Sequence, residues 1–237
     1  MASRTQSRGV CVYCGKEMTR GGLARHLATC AKRREVIAAA DQQPGGSPQT
    51  LYHLQVQDAW RGAYWLHLEM RGDATLEKLD SYLRAIWLEC CGHLSAFEIG
   101  PVRHTQLFDD GMSYGIEKSM KVQAQRLFAP GMEISYEYDF GTTSHLLIKV
   151  VGERQGKPTT KNPIVLMARN AFDPPPCAEC GQPAEWLCAE CIWEEGADAV
   201  FCEAHAGEHE HEDMLMPIVN SPRTGMCGYD GPAEPPY

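Results

Sequence analysis

The chain has 237 residues and a formal net charge of −9, a length that accommodates a main core of roughly 100 to 150 residues plus smaller modules. No stretch reaches the ~20 consecutive apolar residues of a membrane helix, and the start, MASRTQSRGV, lacks the apolar segment of a secretory signal, so the expectation is a cytoplasmic protein with no membrane partner. Residues 1–35 carry +6 and residues 177–237 carry −12, leaving −3 for the middle, and eight of the eleven cysteines lie in CxxC pairs or close to histidines, which argues against a disulfide scaffold.

The first module is predicted over residues 1–40. Cys11, Cys14, His26 and Cys30 form C-x2-C-x11-H-x3-C. A tight knuckle presents the first two thiolates and one helical turn separates His26 from Cys30, so the four can converge tetrahedrally on zinc. The segment is too short to fold on its own core, so the metal supplies most of its stability. With KEMTRGGLARHLATC in the place of the second strand and helix, it resembles a ββα zinc finger whose last histidine is cysteine, and Met18 and Leu23 would form its small core.

Aligning His26 with that family's first helical histidine puts the base-contacting positions near Thr19, Gly22 and Arg25, of which only Arg25 offers a hydrogen-bonding fork. Sequence-specific readout is therefore not expected. Arg20, Arg25, Lys32, Arg33 and Arg34 are candidate phosphate contacts, making nucleic acid a partner through residues 1–35. A solvated basic helix facing a protein partner is the alternative.

Residues 41–50, DQQPGGSPQT, read as a flexible linker on which the finger swings. The central domain spans residues 51–172. YHLQVQ (52–57) and AYWLHLEM (63–70) predict two strands, and Thr75 opens a helix with an apolar stripe of Leu76, Leu79, Leu83, Ile86 and Trp87. Met132, Ile134, Tyr136, Tyr138 and Phe140 recur at a period of two; GTT then precedes Leu146, Ile148 and Val150 at the same period, which predicts a hairpin. IVLMARN (164–170) supplies one more strand, giving an α+β core rather than a βαβ repeat.

Two segments of this domain carry a family resemblance. TLEKLDSYLRAIWLECCGHLSAFEIG (75–100), with His93, Leu94 and Phe97 after the amphipathic helix, and ISYEYDFGTTSHLLIKVV (134–151), with Tyr138, Asp139, Phe140 and Gly141 at the strand end, resemble the plasmid pRiA4b ORF-3-like family. The resemblance implies an α+β domain of prokaryotes, often linked with plasmids or mobile elements, and no settled reaction. Many relatives carry aspartate and tryptophan after the strand-end glycine, where this chain has Thr142, Thr143 and Ser144.

An enzyme centred near His93 and Asp139, with His145, Asp109 and Asp110 as further polar groups, is one alternative, but no spacing identifies a nucleophile or an acid/base pair. His93 reads better as a hydrogen-bonded structural group, Asp139 as a turn acceptor, and Cys90 and Cys91 as packing residues.

The last unit spans residues 173–237, opening on DPPP. Its ligands run C-x2-C-x7-C-x2-C-x10-C-x2-H-x3-H-x-H: Cys177, Cys180, Cys188, Cys191, Cys202, His205, His209 and His211. Eight ligands make two closed tetrahedral sites. The order resembles the B-box class, which implies Cys177, Cys180, Cys202 and His205 on one zinc and Cys188, Cys191, His209 and His211 on the other. The close spacing of His209 and His211 leaves open a substitution of one of them by Cys227.

Together these readings give an α+β central domain flanked by two small zinc-binding modules, holding three zinc ions. The expected function is a non-enzymatic adaptor or regulatory protein of a prokaryote or mobile element that binds a protein partner and, through its basic finger, nucleic acid; strict nucleic-acid binding and an uncharacterised enzyme are the alternatives.

Overall fold

A computed structural model of the protein describes residues 7–106, 117–195 and 199–233. The chain divides into two compact units, Met1–Tyr82 with Leu94–Ala171, and Leu83–His93 with Phe172–Tyr237. Among the described residues no helix is long and apolar enough to cross a membrane.

The first unit is a mixed, sheet-rich α+β structure. Its strands, in chain order, are β1 (Arg8–Cys11), β2 (Glu17–Thr19), β3 (Gln49–Asp58), β4 (Trp65–Arg71), β5 (Ser95–Ile99), β6 (Val102–Thr105), β7 (Glu117–Ser119), β8 (Glu133–Tyr138), β9 (Ser144–Gly156) and β10 (Ile164–Asn170). They form one sheet in the order β2-β1-β10-β4-β3-β9-β8-β5-β6-β7. The two long strands β3 and β9 pair antiparallel over the whole of β3, from Gln49↔Gly156 to Asp58↔Leu146, and the alternating residues Leu54, Val56, Leu146, Ile148 and Val150 are all buried. The period-two hairpin expected from residue 132 is β8–β9, in register from Glu133↔Lys149 to Tyr138↔Ser144.

Helices α1 (Arg20–Thr29) and α2 (Ala31–Gln42) follow the short β1–β2 hairpin. The finger does not swing. Strand β1 hydrogen-bonds to β10 (Gly9↔Asn170, Cys11↔Ala168) and thereby extends the central sheet. Leu23 and Leu27 of α1 share a buried cluster with Trp65, Met167 and Ala168, so the apolar face that a lone finger would expose is covered by the sheet. The expected linker is correspondingly short, because α2 runs to Gln42 and β3 begins at Gln49. Asp41 also accepts from the Lys157 N–H at 2.8 Å, pinning the end of α2 to the loop after β9.

The predicted apolar stripe is carried by α3 (Leu76–Leu83) and a π-helical turn, Arg84–Leu88; Leu76, Leu79, Leu83, Ile86 and Trp87 are all fully buried. The wider turn closes on a bond from the Glu89 N–H to the Arg84 carbonyl.

The second unit has a small sheet, β12-β11-β13, from β11 (Trp186–Cys188), β12 (Val200–Phe201) and β13 (Leu215–Pro217), with helices α4 (Ala189–Glu195) and α5 (Glu203–Ala206). Cys188, Cys191, Ala199, Phe201 and Ala206 form its small core.

One consequence of the β3–β4 pairing is a buried imidazole pair. Gln55↔His67 and His53↔Glu69 are cross-strand partners, and His53 Nε2 lies 2.9 Å from His67 Nδ1. Burial pushes His67 down to about 4; burial, the neighbouring His67 and Arg33 push His53 down to about 3. Both rings are neutral at pH 7. The stability they allow is fully present above the unfolded pKa near 6.5 and is lost as pH falls toward 4 and 3, at about 1.4 kcal/mol per pH unit for each ring. We expect denaturant titrations at pH 6.5 and pH 5 to show a slope smaller by about that amount per pH unit in His53→Phe than in wild type. Equal slopes in the two proteins would contradict this assignment.

Candidate metal centres and a basic cleft

The N-terminal site is built on a knuckle. The Cys11 N–H donates to the Lys16 carbonyl at 3.0 Å and the Gly15 N–H to the Cys11 carbonyl at 2.8 Å, which curls the chain around the two sulfurs. The same two bonds recur at Cys177, from its own N–H to the Gln182 carbonyl (2.6 Å) and from the Gly181 N–H back to the Cys177 carbonyl (2.9 Å). Gly15 and Gly181 have φ of +70° and +71°, a left-handed conformation that side chains disfavour. The motif in both modules is therefore C-x2-C-G.

Helix α1 supplies the other two N-terminal ligands. Thr19 caps it by accepting from the Gly22 N–H at 3.3 Å, and Cys30 is its C-cap. Cys14 Sγ lies 3.2 Å from His26 Nε2, and one donor atom from each of Cys11, Cys14, His26 and Cys30 falls within 4.8 Å of the others. Met18 packs against this cluster together with Leu23, as expected of the small finger core. Burial drives the Cys11 thiol up to about 11, so a thiolate there needs a cation beside it.

In the second unit Cys177, Cys180, Cys202 and His205 form one group, with Cys180–Cys202 at 3.8 Å, Cys177–His205 at 3.5 Å and Cys202–His205 at 3.3 Å. Cys188, Cys191, His209 and His211 form another, with Cys191 Sγ 3.3 Å from His209 Nε2 and 3.4 Å from His211 Nδ1. Zinc–sulfur and zinc–nitrogen bonds of ordinary length at a tetrahedral angle place two sulfurs about 3.8 Å apart and sulfur and nitrogen about 3.5 Å apart. The observed spacings are of that size. His209 and His211 both join the group despite being two residues apart, because the chain leaves α5 at Gly207 and their rings meet nearly perpendicular, 5.3 Å apart.

A fourth group was not foreseen. Cys90, Cys91, His93 and Cys227 also bring four donor atoms within 4.8 Å of one another. Cys227 thus lies with them rather than replacing a histidine of the Cys188 group. Cys90 and Cys91 are half-buried and exposed, not core packing residues, and His93 Nε2 is 2.9 Å from Cys91 Sγ. The sequence hinted at it only through the adjacent CC followed by His.

The residues named for the enzyme alternative are placed as follows. His93 belongs to the cysteine group, and Asp139, at φ +65°, uses its carboxylate to accept from the Gly141 N–H at 3.0 Å, the turn-acceptor role. His145 sits 3.5 Å from Glu137. Asp109 and Asp110 lie outside the described residues.

The five basic candidates of the finger separate. The Arg33 guanidinium is largely buried and pairs with Glu69 at 2.7 Å. Lys32 pairs with Glu35 on the surface, and Arg34 donates to the Thr29 carbonyl. Arg20 and Arg25 instead line a cleft of about 1040 Å³ with Gly21, Gly22, Trp60 and Arg61.

Asp58 builds the facing wall. Its buried carboxylate accepts from the N–H groups of Trp60, Arg61, Gly62 and Tyr64, folding residues 58–64 into a compact loop. The loop leaves Trp60 78% exposed, and Arg20 donates to the Gly62 carbonyl across the cleft. No ion pair among the described residues holds Arg25 or Arg61.

The chain matches none of the curated proteins with which it was compared. Among solved structures it is similar to MM3350, a protein of unknown function from Methanosarcina mazei Go1, with 18% identity and a TM-score of 0.42; the match covers 48% of this chain and 66%, just under two thirds, of that one. A family model described as plasmid pRiA4b ORF-3-like protein matches residues 51–215, well over half of the sequence, and the chain belongs to that family.

Proposed function

We propose that the chain is a zinc-stabilised, non-enzymatic binding protein that takes single-stranded nucleic acid at the Arg20–Arg25–Arg61 cleft. The observation that carries this reading is the cleft itself. Three guanidiniums and a largely exposed indole line one concavity, the combination of backbone-tracking charge and stacking surface that single strands require. Zinc is favoured by the donor sets, since thiolate and imidazole in tetrahedral array suit it and exclude hard cations such as magnesium. Four protein ligands per site leave no open position for a catalytic water, which supports a structural role. Residues 177–237, at −12, repel phosphate and suit a basic protein partner.

Fluorescence anisotropy with a labelled single-stranded oligonucleotide across a salt series tests the proposal. Arg25→Ala with Arg61→Ala is expected to weaken binding at least tenfold and to flatten the log–log salt slope by about 1.4, as for two lost phosphate contacts. Trp60→Ala should cost a further ~10-fold or more through lost stacking. Wild-type affinity in the triple variant would rule the cleft out.

A further inference from the structure

We propose that Cys90, Cys91, His93 and Cys227 hold a fourth zinc ion, a clamp that ties the C-terminal tail to the end of the π-helical turn within the second unit. Three observations support it. The spacings fit: Cys90–Cys91 is 3.7 Å, Cys91–Cys227 3.5 Å and His93 Nε2–Cys227 3.3 Å, near the edges expected of a tetrahedron of three sulfurs and one nitrogen around zinc. The His93–Cys91 edge, at 2.9 Å, is shorter.

The tail is also positioned for the role by contacts independent of the cysteines. Ser221 Oγ donates to the Trp87 carbonyl at 2.6 Å and accepts from the Arg223 N–H at 2.9 Å, while the Ala233 N–H donates to the Ala85 carbonyl at 2.9 Å. These bonds bring residues 221–233 alongside residues 85–88. Cys227 itself has φ +51°, a conformation costly for a non-glycine residue that directs its sulfur to the group.

The third observation is charge. Zinc with three thiolates and one neutral imidazole carries −1, a charge that a neighbouring cation stabilises. Arg223 is fully buried, and its Nη2 lies 3.5 Å from Cys90 Sγ. Its guanidinium both balances the site and donates to a ligand sulfur, as outer partners of metal ligands do.

Native mass spectrometry of the full chain, purified under reducing conditions, counts the metal. Four zinc ions in wild type, three in Cys227→Ala and three in Cys14→Ala are expected. Three in wild type, unchanged in Cys227→Ala but falling to two in Cys14→Ala and in Cys188→Ala, would overturn the fourth site while leaving the other three intact. Should Cys227→Ala unfold the unit and shed several ions at once, iodoacetamide labelling of native wild type decides. Cys91 and Cys227 are exposed, so protection that is abolished by a chelator supports the clamp. Labelling at the rate of a free surface thiol, or a Cys91–Cys227 disulfide, refutes it.

Discussion

Cys30→Ala is expected to release one zinc ion and melt one edge of the ten-stranded sheet while leaving its centre folded. Structural zinc contributes about 10–16 kcal/mol in isolated finger peptides, comparable with the whole stability of a domain. Here part of the finger's stability comes from elsewhere, because Leu23 and Leu27 are buried with Trp65, Met167 and Ala168. Those contacts cannot hold the knuckle alone: β1 is four residues long and pairs with β10 at three positions. Without the metal, Cys11 and Cys30 become buried thiols with nothing to draw them together. Hydrogen exchange read by mass spectrometry should show the amides of Arg8–Thr29 losing protection in the variant, with β3 and β9 unchanged. Full protection of β1 in zinc-free protein would mean that sheet pairing, not metal, holds the finger.

What was legible in the sequence was local. The alternation from Ile134 to Val150 reads directly as β8–β9 because side chains alternate faces at every residue, and IVLMARN coincides with β10 (Ile164–Asn170). The Cys11 and Cys177 groups are legible because each rests on a knuckle whose two bonds close within six residues. What was not legible was distant. Cys91 and Cys227 are 136 positions apart, and no spacing rule reaches across a fold. The docking of the finger was hidden for the same reason: RGVC carries no mark of a partner strand some 160 residues on. Arg33 looks like its neighbours in sequence, yet its partner Glu69 is 36 residues away on β4.

That partner gives the second large effect. Glu69 is 4% exposed and accepts three charge-assisted bonds, from Arg33 Nη2 (2.7 Å), Arg154 Nε (2.9 Å) and Arg154 Nη2 (2.7 Å). Burial alone would raise its pKa, but Arg154 and then Arg33 outweigh burial and hold it below the usual carboxylate range. Its contribution is therefore present above about pH 4.5 and is lost as pH falls below that. Glu69→Ala removes the anion and leaves two largely buried guanidiniums facing each other. Breaking a buried pair from one side costs about 3–5 kcal/mol, most of it the penalty of the uncompensated charge. Urea unfolding at pH 7 should show a loss of that size in Glu69→Ala, and Arg33→Met, Glu69→Leu, Arg154→Met together should recover most of it, since three apolar side chains strand no charge. A loss below 1 kcal/mol in the single variant would show that water reaches the triad and solvates the two arginines. Because Arg33 sits on α2 and Arg154 on β9, the same variant should loosen α2 from the sheet without changing the zinc count, which separates this effect from that of Cys30→Ala.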